Sequence, residues 1–353
     1  MLAAGCAQIS TLGYYAQAAH GQFSLMAEAR PIDDWLADPL ASEKLKGKLR
    51  KVREMRRFAA SELGLPDNES YKSYADLKRP FVSWNIVATP ELSMKPEQWC
   101  FPVAGCVNYR GYYDKGDAQE YARDLRKQGF DVQVAGVPAY STLGWFNDPI
   151  LSTFIQYPDG ELARLVFHEL AHQVAYAQDD SQFNESFATA VEEVGLERWM
   201  AVQGDDRMRQ TYVEYEGRKR DFLVLLLKYR KELEANYERQ VTDADKRTQK
   251  VVLFEALKNE YQTIKAKWGG YAGYDRWFAE PLSNAHLASV ATYHDFVPAF
   301  RALLEQQGSF SKFYAAVQRL ANVDKTDRQQ QLARLGKLSP LAANKRASAD
   351  MAR

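Results

Sequence analysis

Hydrophobic residues recur every three or four positions along much of this chain, a spacing that predicts amphipathic helices. Between about 42 and 63 the pattern runs through a charged segment and stops before Gly64 and Pro66, which favour the end of a helix. From Asp159 onward almost every segment has helical spacing, with charged residues between the apolar positions. These apolar stripes are typical of helices that pack into a core.

Two shorter segments favour strands instead. Residues 81–89 are rich in β-branched and aromatic residues and stop at Pro90, and residues 131–137 have the same character after a short helix that begins near Asp117. A small mixed sheet is therefore predicted between about 80 and 147. The predicted fold class is α+β and mostly helical.

The composition excludes several classes of protein. Hydrophobic residues make up 46% of the 353 positions, which is enough to form a core and excludes general disorder. Lys and Arg total 46, as do Asp and Glu, so no net positive charge attracts nucleic acid, and we expect no nucleic-acid partner. No run approaches the roughly 20 apolar residues that a membrane-spanning helix needs.

The three cysteines bear on location. Ala3-Ala4-Gly5-Cys6 resembles the end of a bacterial lipoprotein signal, although the charged and apolar segments that usually precede it are absent and Ala3 stands where Leu is favoured. We expect a protein of the cell envelope or periplasm that contacts the membrane through a lipid on Cys6; the alternative is an ordinary N-terminal cysteine. Cys100 and Cys106 flank a turn-forming segment, which favours a disulfide in an exported protein and two buried thiols in a cytosolic one.

The strongest chemical signal is the sequence His168-Glu169-Leu170-Ala171-His172. Residues four apart lie on the same face of a helix, so both imidazoles can bind one metal ion, and the glutamate between them faces the same cleft. Such a motif is expected by chance on the order of 0.01 times in a chain with this many histidines. We therefore predict a helix that carries two zinc ligands, with Glu169 as the catalytic base.

A catalytic zinc ion needs a third protein ligand and an open position for water. A polar turn follows His172, and a second helix then begins with Asn184-Glu185-Ser186-Phe187-Ala188. Antiparallel helices joined by this turn would bring Glu185 near the histidines, so Glu185 is the predicted third ligand. Glu192 lies about 10 Å further along that helix at the helical rise per residue.

This second segment, with Glu192 after it, resembles the third-ligand helix of gluzincin aminopeptidases, which contains Asn-Glu-Gly-Phe-Ala. The wider chain resembles a bacterial family of lipoprotein aminopeptidases whose activity is inferred. The resemblance covers most of residues 5–300 and includes Gly5-Cys6, Tyr14-Tyr15, Gly21-Gln22, 99–106, 109–112, 139–146 and both metal segments. It implies zinc-dependent hydrolysis of a peptide substrate from its N-terminus. The short interval between His172 and Glu185, and Ser186 in place of Gly, depart from the gluzincin pattern.

Several other residues have candidate roles. A hydrogen-bond donor must stabilise the oxyanion that forms during peptide hydrolysis, and we select Tyr293, with His294 as the alternative. Glu192 and Glu193 are expected on a solvated face, although Glu192 could orient a ligand or bind a substrate amine. Asp179 and Asp180 are expected in the turn.

The resulting organisation has four parts. Residues 1–30 form an N-terminal anchor or extension, 31–158 a helix with the small sheet, 159–324 a helical catalytic subdomain beginning with the zincin-type helix, and 325–353 a flexible tail. Residues 137–146 are either an edge that binds an extended substrate or a buried connector. Alternative functions are an envelope binding protein with a structural metal site and a zinc hydrolase that does not cleave peptides. The oligomeric state is not predicted.

Overall fold

The structure is a computed structural model, and it describes residues 3–101, 105–140, 142, 144–203, 206–288 and 296–338. Its helices are α1 (Ala3–Ala27), α2 (Ile32–Ala37), α3 (Glu43–Ser61), α4 (Lys115–Lys127), α5 (Asp159–Ala171), α6 (Ser181–Gln203), α7 (Asp206–Glu238), α8 (Asp243–Lys267), α9 (Asp275–Phe278), α10 (Asn284–Ala288), α11 (Val297–Gln307), α12 (Phe310–Ala321) and α13 (Lys325–Leu338). Its strands are β1 (Arg30–Pro31), β2 (Ser73–Ala75), β3 (Ser83–Pro90), β4 (Trp99–Phe101), β5 (Gly105–Val107), β6 (Arg110–Tyr112), β7 (Phe130–Val137) and β8 (Ile150–Leu151). The predicted fold class, α+β and mostly helical, is confirmed.

The elements predicted from periodicity are present at nearly the expected places. The charged helix predicted at 42–63 is α3, and it begins where the Ser42 hydroxyl accepts a hydrogen bond from the Leu45 amide. The two predicted strands are β3 and β7, and the helix between them is α4. In the described part of residues 138–149, no strand continues β7, so the proposed substrate-binding edge is not formed by a regular strand.

The chain divides into two compact units that alternate along the sequence. The first unit comprises residues 1–82, 137–205 and 293–353, and the second comprises 83–136 and 206–292. The units therefore differ from the consecutive subdomains expected from the sequence, because the chain enters the second unit twice.

The first unit contains a small mixed sheet and the two helices of greatest interest. Strand β2 lies between β1, which is antiparallel to it, and β8, which is parallel to it. Helix α5 packs against α6 and α3. Its apolar face, which includes Leu162, Val166 and Leu170, is fully buried, so the opposite face is free to carry polar chemistry.

The second unit contains a three-stranded sheet, the β4–β5 hairpin and the long helices α7 and α8. In the sheet, β3 lies between β6 and β7. A disulfide joins Cys100 and Cys106, which face each other across the hairpin with their Cα atoms 3.9 Å apart. Of the two alternatives for these cysteines, the disulfide is therefore present. Apolar residues of α7 and α8 form a separate buried cluster that includes Leu233, Leu257 and Tyr261.

The C-terminal part of the first unit corrects one expectation. We predicted a flexible tail from Lys325, but residues 325–338 form α13. Its Arg328 is buried, and its guanidinium Nε donates to the buried Asp180 carboxylate over 2.9 Å. The polar composition did not indicate this helix, which is held by the ion pair of Arg328, by the buried Leu332 and by packing against α11. Among the described residues, no helix combines the length and apolar character needed to cross a membrane.

Helices α5 and α6 approach each other closely at Gly195. A Cβ atom there would lie 2.7 Å from Leu63 Cδ1 and 3.0 Å from Phe167 Cδ2, and both of these side chains are fully buried. We expect Gly195→Ala to destabilise the protein by about 1–3 kcal/mol, because neighbours in a filled core cannot move aside without strain. The measurement is the free energy of unfolding in urea.

Gly47→Ala is the matched control. Gly47 also lies within a helix of the first unit, but nothing is within 4 Å of a Cβ at that position. It should stabilise the protein by about 0.5–1 kcal/mol through the lower conformational entropy of the unfolded chain. Equal effects of the two substitutions would contradict the close approach of α5 and α6.

Candidate metal centre

Two helices bring His168, His172 and Glu185 together. His168 lies in the last turn of α5, which ends at Ala171. The His172 amide still donates to the His168 carbonyl over 3.3 Å, so both imidazoles project from the same side. Helix α6 then returns past them and carries Glu185 in its second turn.

The donor atoms are spaced as one metal ion requires. His168 Nε2 lies 3.1 Å from His172 Nε2 and 3.3 Å from Glu185 Oε2, while His172 Nε2 lies 3.8 Å from Glu185 Oε1. Donors that share a tetrahedral ion at about 2.0–2.1 Å are about 3.3 Å apart. The three groups could therefore bind a metal ion without a large rearrangement.

The turn between the two helices is fixed by the residue just before Glu185. The buried Asn184 amide accepts a hydrogen bond from the Ala177 backbone N–H over 2.7 Å and donates one to the Ala177 carbonyl over 2.9 Å. This double hydrogen bond joins the start of α6 to the chain that leaves α5. The position of the Glu185 carboxylate relative to His172 is therefore determined by Asn184.

The start of α6 is also fixed by Asp180. Its side chain accepts a hydrogen bond from the Phe183 amide at the start of α6 and from Arg328 of α13. Asp180 is therefore a turn residue, as expected, and the start of α6 depends on its buried ion pair. Asp179 also lies in the turn, with a left-handed backbone (φ 60°).

A chain of charged groups orients the His168 ring through its Nδ1 atom. Its Nδ1 atom lies 2.8 Å from Glu192 Oε2, and Glu192 Oε1 accepts a hydrogen bond from Arg164 Nε over 2.7 Å. Arg164 also lies near Glu161, at 3.5 Å. A carboxylate on Nδ1 leaves Nε2 of the imidazole available to a metal ion and fixes the orientation of the ring.

The position of Glu192 corrects the expectation of a solvated face. Only 4% of the residue is exposed, and its carboxylate lies beside His168, which is the alternative we had left open. The next residue, Glu193, pairs instead with Arg301 at 3.2 Å. Glu192 lies about two helical turns after Glu185 and therefore on the same face of α6, but only packing against α5 makes Glu192 buried.

Protons in the site respond to burial and to neighbouring charge. Burial alone would lower the pKa of His168, but the nearby carboxylates of Glu192 and Glu185 raise it well above its ordinary value. Burial lowers the pKa of His172 to about 4, and the charge of His168 adds to this effect. Burial opposes ionisation of Glu185, but the two imidazoles lower its pKa overall. The site therefore favours an ionised Glu185 and a neutral His172, the forms that bind metals.

Glu169 has the position of a general base. It is partly accessible, and no hydrogen bond or ion pair to its carboxylate occurs within the described ranges. Burial raises the pKa of Glu169 to about 7; the charge of His168 opposes this increase, and the charges of Glu185, Asp148 and Glu192 add to it. A carboxylate with this pKa can both accept and return a proton near neutral pH.

Tyr293 and His294, the predicted oxyanion donors, lie outside the described residues, so their role stays a prediction.

The structure adds Arg164, Asn184 and Glu192 to the residues that form the site. The sequence did not indicate Arg164, and it gave Asn184 no role of its own. Their contributions depend on contacts between helices rather than on local spacing.

One protein family matches this chain. The family model described as "Putative aminopeptidase" aligns with residues 13–332. The chain belongs to this family. No curated protein and no solved structure matches the chain. The family supports peptide hydrolysis as the general activity, and the match includes all three candidate ligands and Glu169.

We expect Glu192→Gln to lower the affinity for a divalent metal ion by about 10–100-fold, because the uncharged amide no longer increases the basicity of His168. The dissociation constant can be measured by competition with a chromogenic chelator. Glu193→Gln is the control, since its carboxylate faces Arg301, and it should leave the affinity unchanged. If both variants bind the metal as tightly as the parent, Glu192 does not act through His168.

Proposed function

We propose that this protein is a zinc-dependent peptidase that removes residues from the N-terminus of peptides. The observation that carries the proposal is the convergence of His168, His172 and Glu185 beside Glu169, whose carboxylate has no partner among the residues that the structure describes. A structural zinc site usually has four protein ligands, whereas three ligands and an adjacent base are typical of a hydrolytic site. Family membership supports the same class of reaction.

The donor set supports zinc. Two imidazoles and one carboxylate are a common ligand set for catalytic zinc, and all three side chains have their donor atoms within 4.8 Å of one another. Bound zinc supplies a Lewis acid that polarises the peptide carbonyl and makes water more acidic.

The side chains around the site have separate tasks in this mechanism. His168, His172 and Glu185 hold the ion, and Glu192 with Arg164 keeps His168 in the binding orientation. Glu169 accepts a proton from the attacking water and later delivers it to the nitrogen of the leaving amine. The position of Glu169 next to His168 in α5 supports this role, since both residues move with the same helix.

We also propose that the protein acts in the cell envelope, anchored through a lipid on Cys6. The disulfide between Cys100 and Cys106 supports an oxidising compartment. In a bacterial host, the parent should fractionate with membranes, and Cys6→Ser should release it into the soluble fraction. Identical fractionation of the two proteins would contradict the lipid anchor.

The proposed function is tested with Glu169→Gln, which keeps the shape of the side chain and all three zinc ligands. We expect this variant to bind one equivalent of zinc, as the parent does, but to lose hydrolysis by at least about 100-fold, because no base remains to accept the proton. His168→Ala and His172→Ala should lose the zinc itself. Zinc is measured by elemental analysis of the purified protein.

The substrate set should contain fluorogenic peptides with free and acetylated N-termini. An aminopeptidase cleaves only the free form, whereas an endopeptidase cleaves both. Hydrolysis by Glu169→Gln at the parental rate would overturn the mechanism. Zinc binding by the parent without cleavage of any peptide would favour a structural metal site or a hydrolase with another substrate.

A further inference from the structure

The turn between α3 and β2 is hydrogen-bonded to the residue that follows His172, and this turn carries a buried tyrosine. Tyr71 is 2% exposed, and within the described chain its hydroxyl has no hydrogen-bond partner. A buried hydroxyl without a partner costs about 1–3 kcal/mol, so such groups are rare unless they have a function. Tyr71 therefore needs an explanation that packing does not provide.

The backbone of Tyr71 is also strained. Its φ is 62°, in the left-handed region that bulky side chains seldom adopt. A residue in this conformation costs of the order of 1–3 kcal/mol and persists only when surrounding contacts enforce it. Strain of this kind is concentrated at functional sites, where it holds a side chain in a required position.

The surrounding contacts hold the turn from the α3 side. The buried Arg56 guanidinium donates to the carbonyl oxygens of Ser70 over 2.9 Å, Pro66 over 2.7 Å and Asn68 over 3.0 Å. The Tyr71 amide donates to the Asp148 carbonyl over 2.6 Å. These bonds fix the backbone on the N-terminal side of the Tyr71 Cα atom.

The side chain of Gln173 connects the same turn to the segment of the candidate metal ligands. Gln173 follows His172 directly, and its amide accepts from Asn68 Nδ2 over 2.7 Å and donates to Ser70 Oγ over 3.1 Å. The turn that carries Tyr71 is thus fastened to the residue next to a candidate zinc ligand.

The charges around the Tyr71 hydroxyl connect it with the proposed base. Burial is the main cause that raises the pKa of Tyr71 well above its ordinary value, and Glu169 makes the largest contribution among the neighbouring charges, ahead of Asp148. The hydroxyl is therefore within the electrostatic influence of the Glu169 carboxylate. It stays protonated at neutral pH and can donate a hydrogen bond.

We propose that Tyr71 is a catalytic residue whose hydroxyl donates a hydrogen bond to the carbonyl oxygen of the scissile peptide as that oxygen becomes negatively charged, an inference that rests on the peptidase function proposed above. Water adds to the carbonyl carbon, Glu169 takes one of its protons, and the carbonyl π electrons move to oxygen. The C–N bond then breaks, and the proton passes from Glu169 to nitrogen. Tyr71 transfers no proton in either step.

The proposal predicts a specific division of kinetic effects in the zinc-loaded full chain. Tyr71→Phe removes only the hydroxyl, so kcat should fall about 10²–10³-fold, the usual loss when one oxyanion donor is removed, while KM and zinc content stay near parental values. Tyr74→Phe is the matched control, because Tyr74 is a buried tyrosine of the adjacent strand β2 and packs against Trp35. Its kinetics should equal those of the parent.

Two measurements do not depend on turnover. A phosphinic dipeptide, which carries a tetrahedral oxyanion, should bind Tyr71→Phe about 100-fold more weakly than the parent, whereas an amino-acid hydroxamate should bind both equally. In the metal-free protein, the melting temperature of Tyr71→Phe should equal or exceed that of the parent, because no hydrogen bond is lost. A hydroxyl with a structural role would instead lower the melting temperature.

The outcomes separate this proposal from the proposed function. If the parent cleaves peptides and Tyr71→Phe does so equally fast, the Tyr71 role is overturned while the peptidase function stands. If the parent binds zinc but cleaves no peptide, the peptidase function fails, and the phosphinic dipeptide decides the hydroxyl's role as an oxyanion donor. The role of the Tyr71 hydroxyl is overturned if both proteins bind the phosphinic dipeptide equally or if neither binds it. It is also overturned if the variant has a lowered melting temperature.

Discussion

The antiparallel return of α6 along α5 is the constraint on which the candidate site depends. The two histidines lie where α5 ends, and Glu185 lies shortly after α6 begins, so the turn between the helices determines whether their donor atoms meet. The Asn184 amide holds both polar groups of Ala177, and Gly195 allows the helices to approach further along. None of these positioning contacts involves a metal ligand. The ligand geometry is therefore set by the fold before any ion binds.

Charge is the second feature that organises the site. Glu169, Glu185 and Glu192 lie around two imidazoles, and Arg164 contacts Glu192, the most buried of these carboxylates. A cation bound where the Nε2 atoms converge would relieve the repulsion between the carboxylates. Protonation of His168 relieves the same repulsion, which explains its raised pKa. Binding of a metal ion at this candidate site would therefore be accompanied by proton release.

The sequence predicted the features that local spacing controls. The His168–Glu169–His172 motif, the proximity of Glu185, and elements such as α3, β3 and β7 all follow from periodicity or from a short turn. Features that depend on distant contacts were missed. Glu192 and Glu193 are adjacent acids with the same local context, and only packing against α5 buries one of them. The sequence did not relate Tyr71 to Glu169, because the turn that carries Tyr71 is positioned by hydrogen bonds from the distant residues Arg56 and Gln173. Helix α13 was not predicted, because its composition is polar.

The ion pair between Asp180 and Arg328 joins positions 148 residues apart. During synthesis on the ribosome, both histidines and Glu185 therefore emerge long before the guanidinium that neutralises the carboxylate at the start of α6. A nascent chain that has reached only α12 contains every candidate ligand but lacks the guanidinium that pairs with Asp180. The ion pair at the start of α6 is thus among the last contacts of this unit to form during synthesis. A premature stop codon before Arg328 would yield a product that contains the whole motif without this ion pair.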